Sequence, residues 1–261
     1  DDLLAKALFL GDGDDEAAVI TADLLGLRAP RVAQVRQRVT ELTGIGGDRV
    51  LVACSHTHGG PLMASDLTPL PPEHEAYLDA LCQYLAGTVA AARAAAVPVR
   101  VRRGRAPVRV GANRREHRAD GTTVLGVDLG GPLAPWVEVL AFEREGDAAP
   151  VAVLFQHAVH GTCLTGDNYL VTADVMGVAQ RTIEAALPGV CALFLNGCAG
   201  DINPYPRGTF AWCQRHGARL GAAAVAAAMD VDAGLTAAPT AGTVASDASD
   251  PGAAAAARDA S

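Results

Sequence analysis

The chain has 261 residues, with 21 basic and 29 acidic side chains and a formal charge of −8. A chain of this length suits one large domain or two small ones and buries ~70% of its unfolded surface, enough for a core without disulfide staples. The acidic balance argues against a nucleic-acid partner, and the longest apolar run, Ala222 to Met229, falls far short of the ~20 residues of a spanning helix.

Lys6 to Leu10 and Ala17 to Leu25 read as strands around the turn-rich Gly11-Asp12-Gly13-Asp14. Val32, Val35, Val39 and Leu42 step by three and four residues and predict an amphipathic helix closed by Gly44. Arg49 to Cys54 is a short apolar strand that runs into Ser55-His56-Thr57-His58-Gly59-Gly60-Pro61 and then a proline-rich loop to Pro72. Pro72-Glu73 opens a long helix with acidic residues in its first turn and an apolar stripe at Leu78, Leu81, Leu85 and Val89.

Pro98 to Val110 alternates valine with arginine as a half-exposed strand, and Asn113-Arg114-Arg115 with the polar residues to Gly121 predicts a loop. Val137 to Phe142 and Val151 to Phe155 are strands joined by a charged turn at Glu143 to Asp147. A loop carrying His157 and His160 follows, then a helix over Val175 to Leu187 and a buried strand over Cys191 to Leu195. The loop Asn196 to Pro204 leads to a last helix, Phe210 to Met229. The pattern predicts an α/β domain over residues 1–232, with mixed sheets flanked by helices. Residues 233–261 read as a low-complexity, poorly ordered tail.

The six cysteines form no CxxC pair and read mostly as small core residues. The chain opens on Asp1-Asp2 with no recognisable leader, so compartment and oligomeric state stay open.

Three loops follow apolar strands and crowd polar groups at strand ends, where rigid scaffolds often present binding groups. In the first, extended backbone would turn His56 and His58 to one face, as zinc ligands or as part of a hydrogen-bonded turn. In the second, the step from His157 to His160 lets at most one histidine reach a site from a strand end. Asp167, Asn168 and Asp174 lie downstream, to orient ligands or, for Asp174, to cap the next helix. In the third, Gly197, Gly200, Asp201 and Asn203 could cradle an anion or form a tight turn; no GK[ST] follows, so it is not a P-loop. His74, His117 and His216 read as solvated or packing residues. Metal-assisted hydrolysis is the chemistry these loops share. A separate reading makes Cys198 a nucleophile with His58 or His160 as its base.

Taken together the motifs resemble the N-terminal catalytic domain of the neutral, non-lysosomal ceramidase family. The matching pieces are Asp2-Leu3-Leu4-Ala5-Lys6-Ala7-Leu8, Val52 to Pro61, Asn113-Arg114-Arg115, Ala158 to Thr162 followed by Thr172-Ala173-Asp174, and Asn196 to Pro204. The resemblance implies a ceramidase-like fold and a zinc-dependent amide or ester hydrolase acting on a small or lipid-like substrate such as a sphingolipid. Metal-activated water would attack the carbonyl. It implies His56 and His160 as metal ligands, beside a carboxylate and a tyrosine much further along the family's chain. His58, Arg114 and Asp201 would be catalytic, and Asn113 and Asn203 would touch the substrate.

Two departures matter. Asn203 stands where the family's ceramidases carry a catalytic serine, which favours water over a hydroxyl nucleophile. The family's opening strand, its carboxylate ligand and its tyrosine have no counterpart, so the sequence reads as an internal fragment. The alternative is a non-catalytic lipid- or glycan-binding module with a degenerate metal site.

Overall fold

Leu4–Asp12 (β1) and Asp15–Ala22 (β2) form an antiparallel hairpin closed between Asp12 and Asp15, with Gly13 at φ 63° in the turn. In this computed structural model the described residues are 1–63, 71–144, 146 and 149–230, together with the backbone of 240–247. The centre of the proline-rich loop, part of the turn at 143–147 and most of the tail lie outside them.

Ala29–Thr43 (α1) starts with proline in its first turn and buries Val35 and Val39. It stops at Gly44, whose φ of 81° suits a residue without a Cβ and whose N–H donates to Thr40 O. Val50–Cys54 (β3) lies parallel to β2, and Pro72–Ala94 (α2) covers this half of the sheet with the predicted stripe buried. Val97–Pro107 (β4), Gly111–His117 (β5), Thr123–Asp128 (β6), Trp136–Arg144 (β7) and Pro150–His157 (β8) follow. Then come Asp174–Ala186 (α3), Cys191–Asn196 (β9), Ile202–Pro204 (β10), Phe210–Ala228 (α4) and Thr240–Asp247 (β11).

Among the described residues, one eight-stranded mixed sheet runs β3-β2-β1-β11-β4-β7-β8-β9 and a three-stranded sheet runs β10-β5-β6. The ladders are antiparallel except β2 with β3 and β8 with β9. Ala5, Ala7 and Phe9 of β1 face α1 and α2, whereas Val139, Ala141, Val153 and Phe155 of β7 and β8 face the α3–α4 side. Leu8 of β1 packs on the opposite face with Val99, Phe142, Leu154 and Leu193 from the far half of the sheet. The sheet therefore folds its inner face on itself between two helical layers. Phe155 and Phe194 are register partners on β8 and β9 with ring centroids 5.2 Å apart. Burying each ring contributes ~2–3 kcal/mol and fixes the strand pair that leads into the second and third loops.

One expectation, a loop, is corrected, and part of the tail is described. The predicted loop at Asn113-Arg114-Arg115 is part of β5, because β10 and β6 pair with it from either side; those partners are remote in sequence. Within the expected tail, Thr240–Asp247 forms a strand between β1 and β4. A ladder needs extended backbone rather than a distinctive side-chain pattern, so low complexity does not preclude it.

Candidate metal centre

The first two loops run side by side as the chain leaves β3 and β8, joined by isolated bridges between Thr57 and Gly161 and between Gly59 and Thr172. His58 N–H donates to Gly161 O at 3.0 Å, and Thr57 Oγ1 donates to Thr172 O at 2.6 Å. The third loop joins through His160 N–H to Ile202 O at 2.9 Å, and β5 through Arg114 N–H to Asp201 O at 2.7 Å. Gly161 makes the contact possible: a Cβ there would lie 2.4 Å from His56 O and 2.7 Å from Thr57 Cα.

His56, His58 and His160 converge, with ring centroids 4.5–5.1 Å apart and ligating atoms all within 4.8 Å of one another. The first pair meets by a different route from the expected extended alternation. His56 has a φ of 64°, a left-handed conformation that costs ~1–3 kcal/mol and needs its surroundings to hold it. Here His56 N–H donates to Leu24 O at 2.9 Å.

Backbone carbonyls set the tautomers. His56 Nδ1 lies 2.7 Å from Leu25 O, and His160 Nδ1 lies 3.1 Å from Ala199 O. A carbonyl only accepts, so each Nδ1 carries the proton and each Nε2 is left with a bare lone pair. Those two Nε2 atoms face each other at 3.2 Å. Two lone pairs at that distance repel unless a cation or a proton lies between them. Two nitrogens ~2.0–2.1 Å from one tetrahedral zinc stand about 3.3 Å apart, so the donor set fits that ion. Burial, then the neighbouring His160, His56 and Arg114, push His58 down to about 4. Burial likewise lowers His160, against the Ala199 carbonyl, which favours its charged form.

The remaining predicted residues gather on one side. Arg114 Nη1 donates to Asn203 Oδ1 at 3.5 Å, and its Nε is buried without a partner. Thr162 Oγ1 donates to the same Asn203 oxygen at 3.3 Å. Asn113 is buried and donates to Asp201 Oδ2 at 2.9 Å and to Pro132 O at 3.0 Å. Asp201 and Asn113 thus brace β5 against the third loop, with Arg114 extending from the same join.

His157 stays out of the centre, as its spacing predicts: it is buried at the end of β8 with Nδ1 2.8 Å from Trp136 O. Asp174 is not the N-cap expected of it. It is the first residue of α3, at φ 52°, and its carboxylate accepts N–H bonds from Cys163, Leu164 and Val175. Asp174 also lies within 4.8 Å of the Cys163 and Cys213 sulfurs, all three buried. Three backbone donors already occupy that carboxylate, which marks the group as a packing junction between the second loop and α4. Cys198 is exposed and joins no histidine cluster among the described residues.

Sequence reasoning did not single out Thr162 or the two orienting carbonyls. Gly161 beside His160 was the one available signal, since carbonyls leave none. Cavities of about 330 and 130 Å³ lie by β1, β2, α1 and α2, and neither is lined by a residue of the three loops.

No family model matches the sequence, and no curated protein matches it. Among solved structures, the chain is similar to a ceramidase complexed with C2, at a TM-score of 0.72 and 22% identity over 88% of this chain and 39% of that one. It is also similar to the neutral ceramidase from Pseudomonas aeruginosa, at a TM-score of 0.67 and 17% identity over 89% of this chain and 46% of that one. The chain thus has a ceramidase-like fold and spans less than half the length of these structures.

Proposed function

We propose that, on this ceramidase-like fold, the three loops form part of the active site of a zinc-dependent hydrolase that cleaves an amide or ester bond. The observation that carries the reading is the pair of bare Nε2 atoms, on His56 and His160, 3.2 Å apart. These two residues would hold the ion, with the ring nitrogen of His58 beside them. A bound zinc would supply Lewis acidity and a nucleophilic water near neutral pH.

The chain's own groups do the rest. Arg114, with its unpartnered Nε, donates to the carbonyl oxygen as negative charge develops there. His58 accepts and returns a proton at its ring nitrogen. Asn113 and Asp201 hold the Arg114 strand against the third loop, and Asn203 lines the substrate side. Asn203 has no hydroxyl, so water is the nucleophile in this scheme. The names of the structural neighbours point to lipid-like amides of the sphingolipid class as the first substrates to assay.

Zinc titration with elemental analysis tests the ligand pair. The unaltered chain should bind one zinc, and His56→Ala and His160→Ala should each weaken binding by about a hundredfold, in line with losing a first ligand or its support. Full zinc content in either variant overturns the assignment. Asn203 favours one rival, a lipid- or glycan-binding module with a degenerate metal site: metal-independent ligand binding and no turnover by a longer chain would establish it.

A further inference from the structure

Two arginines stand close to the histidine centre without a carboxylate partner among the described residues. They are Arg114 and Arg207. Arg207 Nη1 donates to Thr162 O at 3.3 Å, and Thr162 Oγ1 donates to Asn203 Oδ1, the oxygen to which Arg114 Nη1 also donates. The two guanidiniums therefore flank one short bridge, Thr162–Asn203, next to His160. Asp201 is the nearby carboxylate, and its Oδ2 takes the Asn113 amide. Each guanidinium raises the positive potential at the His160 ring.

A desolvated guanidinium with an unmet donor is costly to keep without an anion. One arginine suffices for the charge that develops on a carbonyl oxygen during hydrolysis. A second, on the far side of the same bridge, calls for a charge the substrate carries throughout. We propose that Arg207, joined to Arg114 through the Thr162–Asn203 bridge, seats a permanent anionic group of the substrate, a carboxylate or a phosphate, while Arg114 serves the carbonyl oxygen of the bond that is cleaved. The substrate is then an anionic amide or ester rather than a neutral one, and Arg207 is a specificity-determining residue. This inference deepens the hydrolase reading and rests on it.

The test measures binding, by calorimetry on the zinc-loaded chain, of three probes that share an acyl amide. N-octanoylglycine carries a carboxylate, N-octanoyl-O-phosphoethanolamine a phosphate, and N-octanoylethanolamine no charge. At low ionic strength at least one anion should bind about tenfold or more tightly than the neutral probe, the effect of a charged hydrogen bond. The tighter anion identifies the group. Added salt should erode the preference, because Arg207 is exposed. Arg207→Ala should reduce the anionic-to-neutral affinity ratio about tenfold, Arg207→Lys should restore part of it, and Arg207→Glu should invert it. Equal affinity for all three probes, binding of none, or an unchanged ratio in Arg207→Ala overturns the seat. Turnover measured separately keeps the two readings apart. An anion preference with no hydrolysis of any probe by a longer chain counts against the hydrolase and leaves the seat standing. Hydrolysis of the neutral amide without an anion preference does the reverse.

Discussion

Replacing Gly161 by alanine is the sharpest test of the way the site is assembled. The added Cβ would lie 2.4 Å from His56 O, 2.7 Å from Thr57 Cα and 2.8 Å from His56 C. Ordinary carbon–oxygen contacts begin near ~3.3 Å, so the first and second loops would have to part by about 0.9 Å. All three obstructing atoms are backbone, so no side chain can swing away. Overpacking of this kind costs ~1–3 kcal/mol, and the upper half of that range applies where both sides are main chain. At ~2–4 °C per kcal/mol for a chain of this size, Tm should fall by about 4–12 °C. The same displacement separates His56 from His160. A metal site tolerates only ~0.2 Å in its ligand distances, so zinc affinity should fall at least about tenfold even at temperatures where the variant stays folded. Urea denaturation and zinc calorimetry on the folded variant measure both effects. If Gly161→Ala keeps its stability within about 0.5 kcal/mol and binds zinc as tightly as the parent, close backbone approach is not what builds the centre.

Three further outcomes follow from buried polar groups. Lys6 is 1% exposed and bridges Glu184 at 2.7 Å and Ala192 O at 2.8 Å, so Lys6→Met should cost about 3 kcal/mol in urea denaturation by stranding a partly buried carboxylate. Asp174→Ala removes the acceptor of three N–H groups and should destabilise by about 2–4 kcal/mol, whereas Asp174→Asn, which tolerates the left-handed conformation and keeps one acceptor, should lose less than half of that. Burial holds the His157 pKa below its ordinary 6.5, against the Trp136 hydrogen bond, so the unfolded chain binds the extra proton first as pH falls. Its stabilisation is therefore complete above the ordinary value and is lost as pH falls through the folded one. Between pH 7 and 5 the parent should lose stability more steeply than His157→Asn, by up to ~1.4 kcal/mol per pH unit, and parallel curves would refute the assignment.

Local chemistry made most of the framework legible. Periodicity located α1 and its glycine stop, the α2 stripe and the strands that became β7, β8 and β9, because each signal is contained within a dozen residues. The His157–His160 spacing allows one histidine of the pair to reach the cluster, and His160 is the one that lies there. What the sequence hid was non-local. Asn113-Arg114-Arg115 looks like a loop until β10, some ninety positions later, supplies its ladder partner. The left-handed turn at His56 has no residue signature, since histidine does not announce it. Leu25 O and Ala199 O orient the two rings through main-chain atoms that every residue type shares.

The join between the loops has a consequence for how this site changes over time. His58 to Gly161, His160 to Ile202 and Arg114 to Asp201 are all main-chain bonds, so, with glycine kept at 161, the histidines hang from a frame set mainly by backbone contacts. Asn203 takes its place through the β10–β5 ladder, opposite Ala112. A serine, an asparagine or another small polar residue can therefore be exchanged at that position without shifting the imidazoles. The frame is conservative and its fittings are replaceable, which lets one scaffold be re-equipped for new substrates in single substitutions.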